Sequence, residues 1–208
     1  MHGPLNQREK ILAAALQLFA KHGFENTTVP QIKSNARVGL STFYRYFRNK
    51  EELLNAIYRE LRCKLEDCLD VPLHAGDTPR RQFHELWIEM VNFDRDFPSA
   101  IGFLEHRHHG AYLDNESEPL ERVPWPITDL LDRLGRENAI KDVPRMVLAA
   151  VAWGTFVELV KLDCQGRLTL SDEVLQAAED CIWDAIHSPG VDCAARSGRA
   201  SVPTAGCP

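Results

Sequence analysis

The chain has 208 residues, 44% of them hydrophobic, a composition that excludes a fibrous or wholly disordered protein and leaves room for one substantial domain or for a small unit joined to a larger one. Its net charge of −6 is unevenly spread: residues 1 to 50 hold Arg8, Lys10, Lys21, Lys33, Arg37, Arg45, Arg48 and Lys50 against Glu9 and Glu25, a net +6, so the remainder carries −12. A basic head on an acidic body points to a polyanionic partner for the head, with a merely solvated cationic surface as the alternative that charge alone leaves open.

Apolar residues recur at helical spacing almost throughout and strand signals are nearly absent, so the expected fold class is all-α, with about nine helices. Ile11, Leu12, Ala15, Leu16 and Phe19 form the stripe of a first helix that closes at His22-Gly23. Thr28 is placed to cap a second helix reaching Ala36, and a third runs from Thr42 to Phe47. Two short helices joined by a tight turn make a helix-turn-helix pattern. Asn49 and Glu52 form the capping box of a long fourth helix with Leu53, Leu54, Ile57, Leu61, Leu65 and Leu69 on one side.

After a loop at 71–77, Thr78-Pro79 opens a fifth helix with Phe83, Leu86, Trp87, Met90 and Phe93 inward, and Pro98 ends it. A shorter helix carries Ile101 to His109, another spans Ile127 to Leu134, and Asp142 with Pro144 announces one that runs to Gly166. Ser171 caps the last, with Leu175, Ala178, Ile182 and Ile186 on one face. From Ser188 onward Gly, Pro, Ser and Ala dominate, which predicts a flexible tail. The expected division is a head at 1–50, a helical body at 51–187 and the tail at 188–208.

The stretch Arg8 to Leu61 resembles the DNA-binding domain of the tetracycline-repressor (TetR) family. The resemblance rests on Ile11-Leu12-Ala13-Ala14-Ala15, Leu18-Phe19, Gly23-Phe24, Thr27-Thr28, Ser41-Thr42-Phe43-Tyr44-Arg45-Tyr46-Phe47 and Lys50-Glu51-Glu52-Leu53-Leu54. It implies a dimeric regulator, a repressor by expectation, that binds a near-palindromic double-stranded operator and is released by a small-molecule effector. Phe43 and Phe47, four apart, suit the buried face of the recognition helix. Ser41, Thr42, Arg45 and Tyr46 then point to a major groove, with Arg45 as the base reader because its fork matches two guanine acceptors. Thr28, Tyr44 and Lys50 resemble the family's phosphate contacts. Two positions depart from the family pattern: Lys33 stands where a small residue is usual and Arg37 where the turn has glycine. Either Arg37 adopts the left-handed conformation, at a cost of roughly 1 kcal/mol, or Gly39 lets the turn shift. Both changes make the head more basic.

In the family the body dimerises through its last two long helices and encloses the effector. Met146 to Gly154 is apolar on every face, with Ala149, Ala150, Ala152 and Gly154 small enough for close helix contact, which suits a homodimer interface or burial within one subunit. Trp87, Met90, Phe93, Phe103, Trp125 and Trp153 are candidate effector contacts, and Glu158 is the polar candidate on an otherwise apolar helix. His106 and His109, three apart, either join an effector site, form a metal pair completed by Asp114 or Glu116, or end a helix as polar residues. No metal or cofactor is expected. A DNA binder controlled by a partner protein is the second reading, and a metal-dependent enzyme built on the histidines is a distant third, since no Gly-rich phosphate loop, nucleophile elbow or His-Glu-x-x-His sequence is present.

Cys63, Cys68, Cys164, Cys181, Cys193 and Cys207 contain no Cys-x-x-Cys pair and read as buried or incidental thiols of a reducing compartment. With no basic leader and no apolar run near the roughly 20 residues of a membrane span, the expected location is the cytoplasm and no membrane partner is expected.

Overall fold

The computed structural model describes residues 6–70, 76–105, 109–117 and 126–189. Helix α1 (Gln7–His22) starts on a reciprocal cap: the Asn6 side chain accepts the Glu9 N–H at 3.0 Å while the Glu9 carboxylate accepts the Asn6 N–H at 2.8 Å. Gly23 ends it with φ 78°, a left-handed stop that glycine allows without Cβ strain. Helices α2 (Val29–Ala36) and α3 (Leu40–Tyr46) pack on α1 around Ile11, Ala15, Phe19, Ile32 and Phe43, all fully buried. Buried Thr27 staples the incoming loop to α1, its hydroxyl donating to Gly23 O at 2.8 Å and to Leu18 O at 3.3 Å.

The turn between α2 and α3 takes the first of its two expected forms. Arg37 is left-handed (φ 55°, ψ 45°), the Val38 N–H reaches Lys33 O at 3.0 Å and the Arg37 N–H reaches Ser34 O at 3.2 Å, a Schellman closure. Gly39 is extended (φ −72°, ψ 155°) and acts as the N-cap of α3, its carbonyl accepting the Phe43 N–H at 3.1 Å. The recognition helix therefore begins at Leu40, earlier than Thr42, and the strain falls on Arg37.

The body comprises α4 (Lys50–Leu69), α5 (Pro79–Asp96), α6 (Ala100–Leu104), a 3-10 turn (His109–Tyr112), α7 (Pro126–Arg136), α8 (Arg145–Cys164) and α9 (Asp172–Ile186). Among the described residues there are thus nine α-helices and no strand, only an isolated bridge between Ile140 and His187. Helix α6 stops well short of His109: the chain leaves it at Glu105, whose carboxylate accepts the Trp153 Nε1–H from α8 at 2.9 Å. Helices α5 and α9 are tied by the buried Glu179 carboxylate, which takes a guanidinium N–H of Arg80 and lies 3.0 Å from His84 Nδ1, so the charge is not left alone in the interior. Apolar Met146 to Gly154 divides by face: Leu148, Ala149, Ala152 and Trp153 are buried, whereas Met146, Val147, Ala150 and Gly154 are exposed. His106, Trp125 and residues 190–208, most of the expected tail, lie outside the described residues.

Replacing Arg37 by glycine removes a Cβ from a left-handed residue. Arg37→Gly is expected to raise unfolding free energy by about 0.5 to 1 kcal/mol, the gain from relieving strain exceeding the entropy lost to a looser unfolded chain. Urea denaturation measures it; an equal or lower midpoint at unchanged slope would remove the strain assigned here.

Candidate nucleic-acid interface

One side of α3 is locked and the other is open. Phe43 and Phe47 are buried and lie 6.1 Å apart, and the Arg8 guanidinium covers Phe47 at 5.7 Å while bonding Glu60 of α4 at 2.7 Å. The open side carries Leu40 (47% exposed), Ser41, Tyr44 (54% exposed) and Arg45, with Tyr46 and Arg37 exposed at its edges and Thr42 half-buried. Thr28 is exposed at the start of α2, where the Gln31 side-chain oxygen accepts its N–H at 2.7 Å and its hydroxyl at 2.9 Å.

Arg45 is held rather than free to sweep. Its Nη2 donates to Gln7 Oε1 at 2.8 Å and to Tyr46 Oη at 3.3 Å, and its guanidinium lies 5.0 Å from the Tyr46 ring centroid. Such holding lowers the rotamer entropy a reading side chain loses on binding. Gln7, thirty-eight residues away in the chain, carries no local signal of this role. Leu40 is a second residue that sequence reasoning passed over. Its spacing to Phe43 and Phe47 matches the buried stripe, but the helix begins at Leu40 and its first turn projects past the scaffold. An exposed aliphatic group there has the chemistry to meet a thymine methyl.

Lys50, an expected phosphate contact, also has partners within the chain. Its ammonium folds back on the loop between α1 and α2, donating to Phe24 O at 2.6 Å and Thr27 O at 2.8 Å and lying 4.1 Å from the Phe24 ring centroid. Burial pulls its pKa below the ordinary lysine value, outweighing the opposite pull of Glu51 and Glu25. The Phe24 carbonyl also accepts the Thr27 N–H at 3.2 Å, and the ammonium adds a charged donor to both loop carbonyls. Lys50 thus acts as a strut between the head and the start of α4.

The same loop is gripped from the body. Tyr112 packs at a tilt against Phe24 with ring centroids 4.3 Å apart, and its hydroxyl donates to Glu25 Oε1 at 2.7 Å, a bond that raises the Tyr112 pKa. Asn55 of α4, 2% exposed, donates to Tyr112 O and Glu51 O and accepts the Asp114 N–H, each at 2.9 Å. Arg59 holds Asp114 at 2.9 Å and Glu116 at 3.6 Å, so both carboxylates proposed for a metal pair are paired with a guanidinium. Burial alone would raise the Asp114 pKa, but hydrogen bonds from Ser117 and Arg59 bring it below the ordinary value. Among the described residues no group of three or more His, Cys, Asp or Glu side chains could hold a metal ion, and no helix is long and apolar enough to cross a membrane.

The candidate effector contacts fall into separate classes. Trp87, Met90, Phe93, Phe103 and Trp153 are buried, and Phe156 joins Trp87 (centroids 5.5 Å apart) to Trp153 (5.9 Å) in one packed cluster. Glu158 is not among them: its side chain is exposed on the outer side of α8, 4.0 Å from Lys161. The helix is apolar on two sides, and Glu158 lies on the side facing away from the core. His109 lies in the 3-10 turn, while His106 and Trp125 lie outside the described residues.

Two family models match the chain: residues 11–57 match the bacterial regulatory proteins of the tetR family, and residues 57–188 match the tetracyclin repressor-like C-terminal domain. The HTH-type transcriptional regulator YvkB of Bacillus subtilis is 43% identical over 183 residues, covering 85% of this chain and 90% of that protein. The HTH-type nicotine-responsive transcriptional repressor HdnoR of Paenarthrobacter nicotinovorans is 26% identical over 127 residues, 55% of this chain and 66% of that one. A TetR family regulator structure from Marinobacter aquaeolei superposes with a TM-score of 0.67 at 26% identity, covering 88% of this chain and 96% of that chain. With the helix-turn-helix head and the helical body both matched, the chain belongs to the TetR family of transcription regulators, proteins that bind DNA and are not enzymes.

Proposed function

We propose that this chain is a ligand-responsive repressor, acting in the cytoplasm, that binds a near-palindromic operator as a homodimer and leaves it when a small molecule changes the spacing of its two heads. The observation that carries the reading is the open side of α3, where Leu40, Ser41, Tyr44 and Arg45 project from a head of net charge +6 while Phe43 and Phe47 anchor the opposite side. Arg45 reads a guanine, Leu40 a thymine methyl, and Thr28, Tyr44 and Arg37 meet the phosphates. Ser41, Thr42 and Tyr46 complete the contact surface.

Dimerisation is supported by an apolar surface that no element covers among the described residues. Met146 is 72% exposed on α8, beside Val147, Ala150 and Gly154, and on α9 the small residues Ala177, Cys181 and Ala185 are exposed at four-residue intervals. Faces of this kind are costly to leave in water, and small side chains let helices of two subunits approach closely. Ligand response is supported by the family relation and by the nicotine-responsive relative.

Three outcomes are expected. Arg45→Ala weakens specific operator binding by about 1 to 3 kcal/mol with little change in melting temperature, because the lost contacts lie on the surface. Lys50→Met does the reverse in proportion, removing about 1 to 3 kcal/mol of stability through two lost charge-assisted bonds, and thermal melting with operator titration separates the pair. If Arg45→Ala binds operator like the parent protein, Arg45 is not the base reader. Ala150→Arg places a charge on the exposed face of α8 and yields a monomer in sedimentation, with operator affinity reduced at least about a hundredfold; a dimer persisting in that variant counts against this interface.

A further inference from the structure

A groove of about 860 Å³ opens between head and body, floored by Leu12 and Leu16 of α1 and Ile57 and Leu61 of α4, and closed at one end by Phe97 where α5 stops. That volume lies within the range of small-molecule sites. Its rim is predominantly acidic: Glu9, Glu60 and Asp96 stand against Lys64. Glu9 is committed to the Asn6 N–H and Glu60 to Arg8, whereas the exposed Asp96 has no side-chain partner among the described residues. The Lys64 ammonium lies 4.7 Å from the Phe97 ring centroid, so an aromatic face beside a spare carboxylate already receives a cation.

We propose that this groove is a binding site for an amphipathic organic cation, whose apolar part covers Leu12, Leu16 and Leu61 and whose charge replaces Lys64 over Phe97 beside Asp96. A ligand seated there touches the first helix of the head and two helices of the body at once, so its affinity depends on the angle between them. Its role as the effector rests on the ligand-responsive reading above; its binding does not.

The probe is tetraphenylphosphonium, with tetraphenylborate as a control of like shape and opposite charge, titrated calorimetrically into the full chain. Saturable binding of the phosphonium, at least about tenfold tighter than the borate, is expected. Asp96→Asn weakens it several-fold, and Lys64→Gln tightens it by a similar factor because the competing cation is gone. Ala13→Trp, which fills the exposed wall of the groove from α1, abolishes binding while the melting temperature stays unchanged. No saturable binding, equal binding of both ions, or wild-type affinity in all three variants overturns the site. So does a change of oligomeric state in Ala13→Trp, which would make the groove a contact between copies of the chain. Binding that follows the variants as described, but with operator affinity identical with and without the phosphonium, upholds the site and overturns the ligand-responsive reading instead.

Discussion

Phe24 occupies the point at which the reading helices, the start of α4 and the body loop at 112–117 meet. Its ring touches Phe19 within the head, Tyr112 of the body and the Lys50 ammonium, and its carbonyl accepts a hydrogen bond from that same ammonium. A three-helix head of this size buries little apolar surface of its own. Its orientation therefore has to be imposed from outside, and directional bonds fix an angle in a way that apolar contact does not. Phe103 of α6 stacks at 6.3 Å on Phe19, carrying the apolar side of the same junction. From there the path continues through Glu105 to Trp153 of α8, so the head is connected to the helix whose outer face is proposed to meet a second subunit.

The buried polar side chains of Thr27 and Asn55 along this route both find partners within the chain. The Asn55 amide donates to two carbonyls and accepts one N–H, a set that neither aspartate nor leucine reproduces at the same volume. Leaving any of these groups unmatched in the interior costs about 1 to 3 kcal/mol, which makes alternative packings of α4 against the loop unfavourable. Glu179 performs the same service at the opposite end of the body by drawing Arg80 and His84 of α5 onto α9. Specific geometry here comes from satisfied polar groups set within a core that is otherwise close-packed.

Much of the fold was legible because helix periodicity and caps are local. Asn49, Thr78 and Ser171 cap their helices, although the expected box at Asn49 is half formed because the Glu52 carboxylate accepts the Arg48 N–H instead, and the stripe from Leu53 to Leu69 is buried. What was not legible depends on partners far away in the chain. Lys50 at a helix start has the look of a surface cation, and nothing near it discloses that the Phe24 and Thr27 carbonyls lie within reach. Gln7 acquires meaning only from Arg45. Glu158 shows the opposite error: a carboxylate among apolar neighbours suggests burial only if the helix has one apolar side, and α8 has two. The left-handed Arg37 was one of two possibilities, decided by the Schellman bonds that close α2.

The separation of charge along the molecule has a dynamic consequence. With +6 on residues 1 to 50 and −12 on the remainder, the chain is unevenly charged, with its positive end at the head. In the field of a polyanion such a molecule experiences a torque as well as a pull, and it arrives with the acidic body turned away. The body's repulsion suppresses long-lived sideways encounters, so most collisions are sampled in a usable orientation. This advantage extends only over the Debye length, about 8 Å at physiological ionic strength, and thus belongs to the last moments of approach.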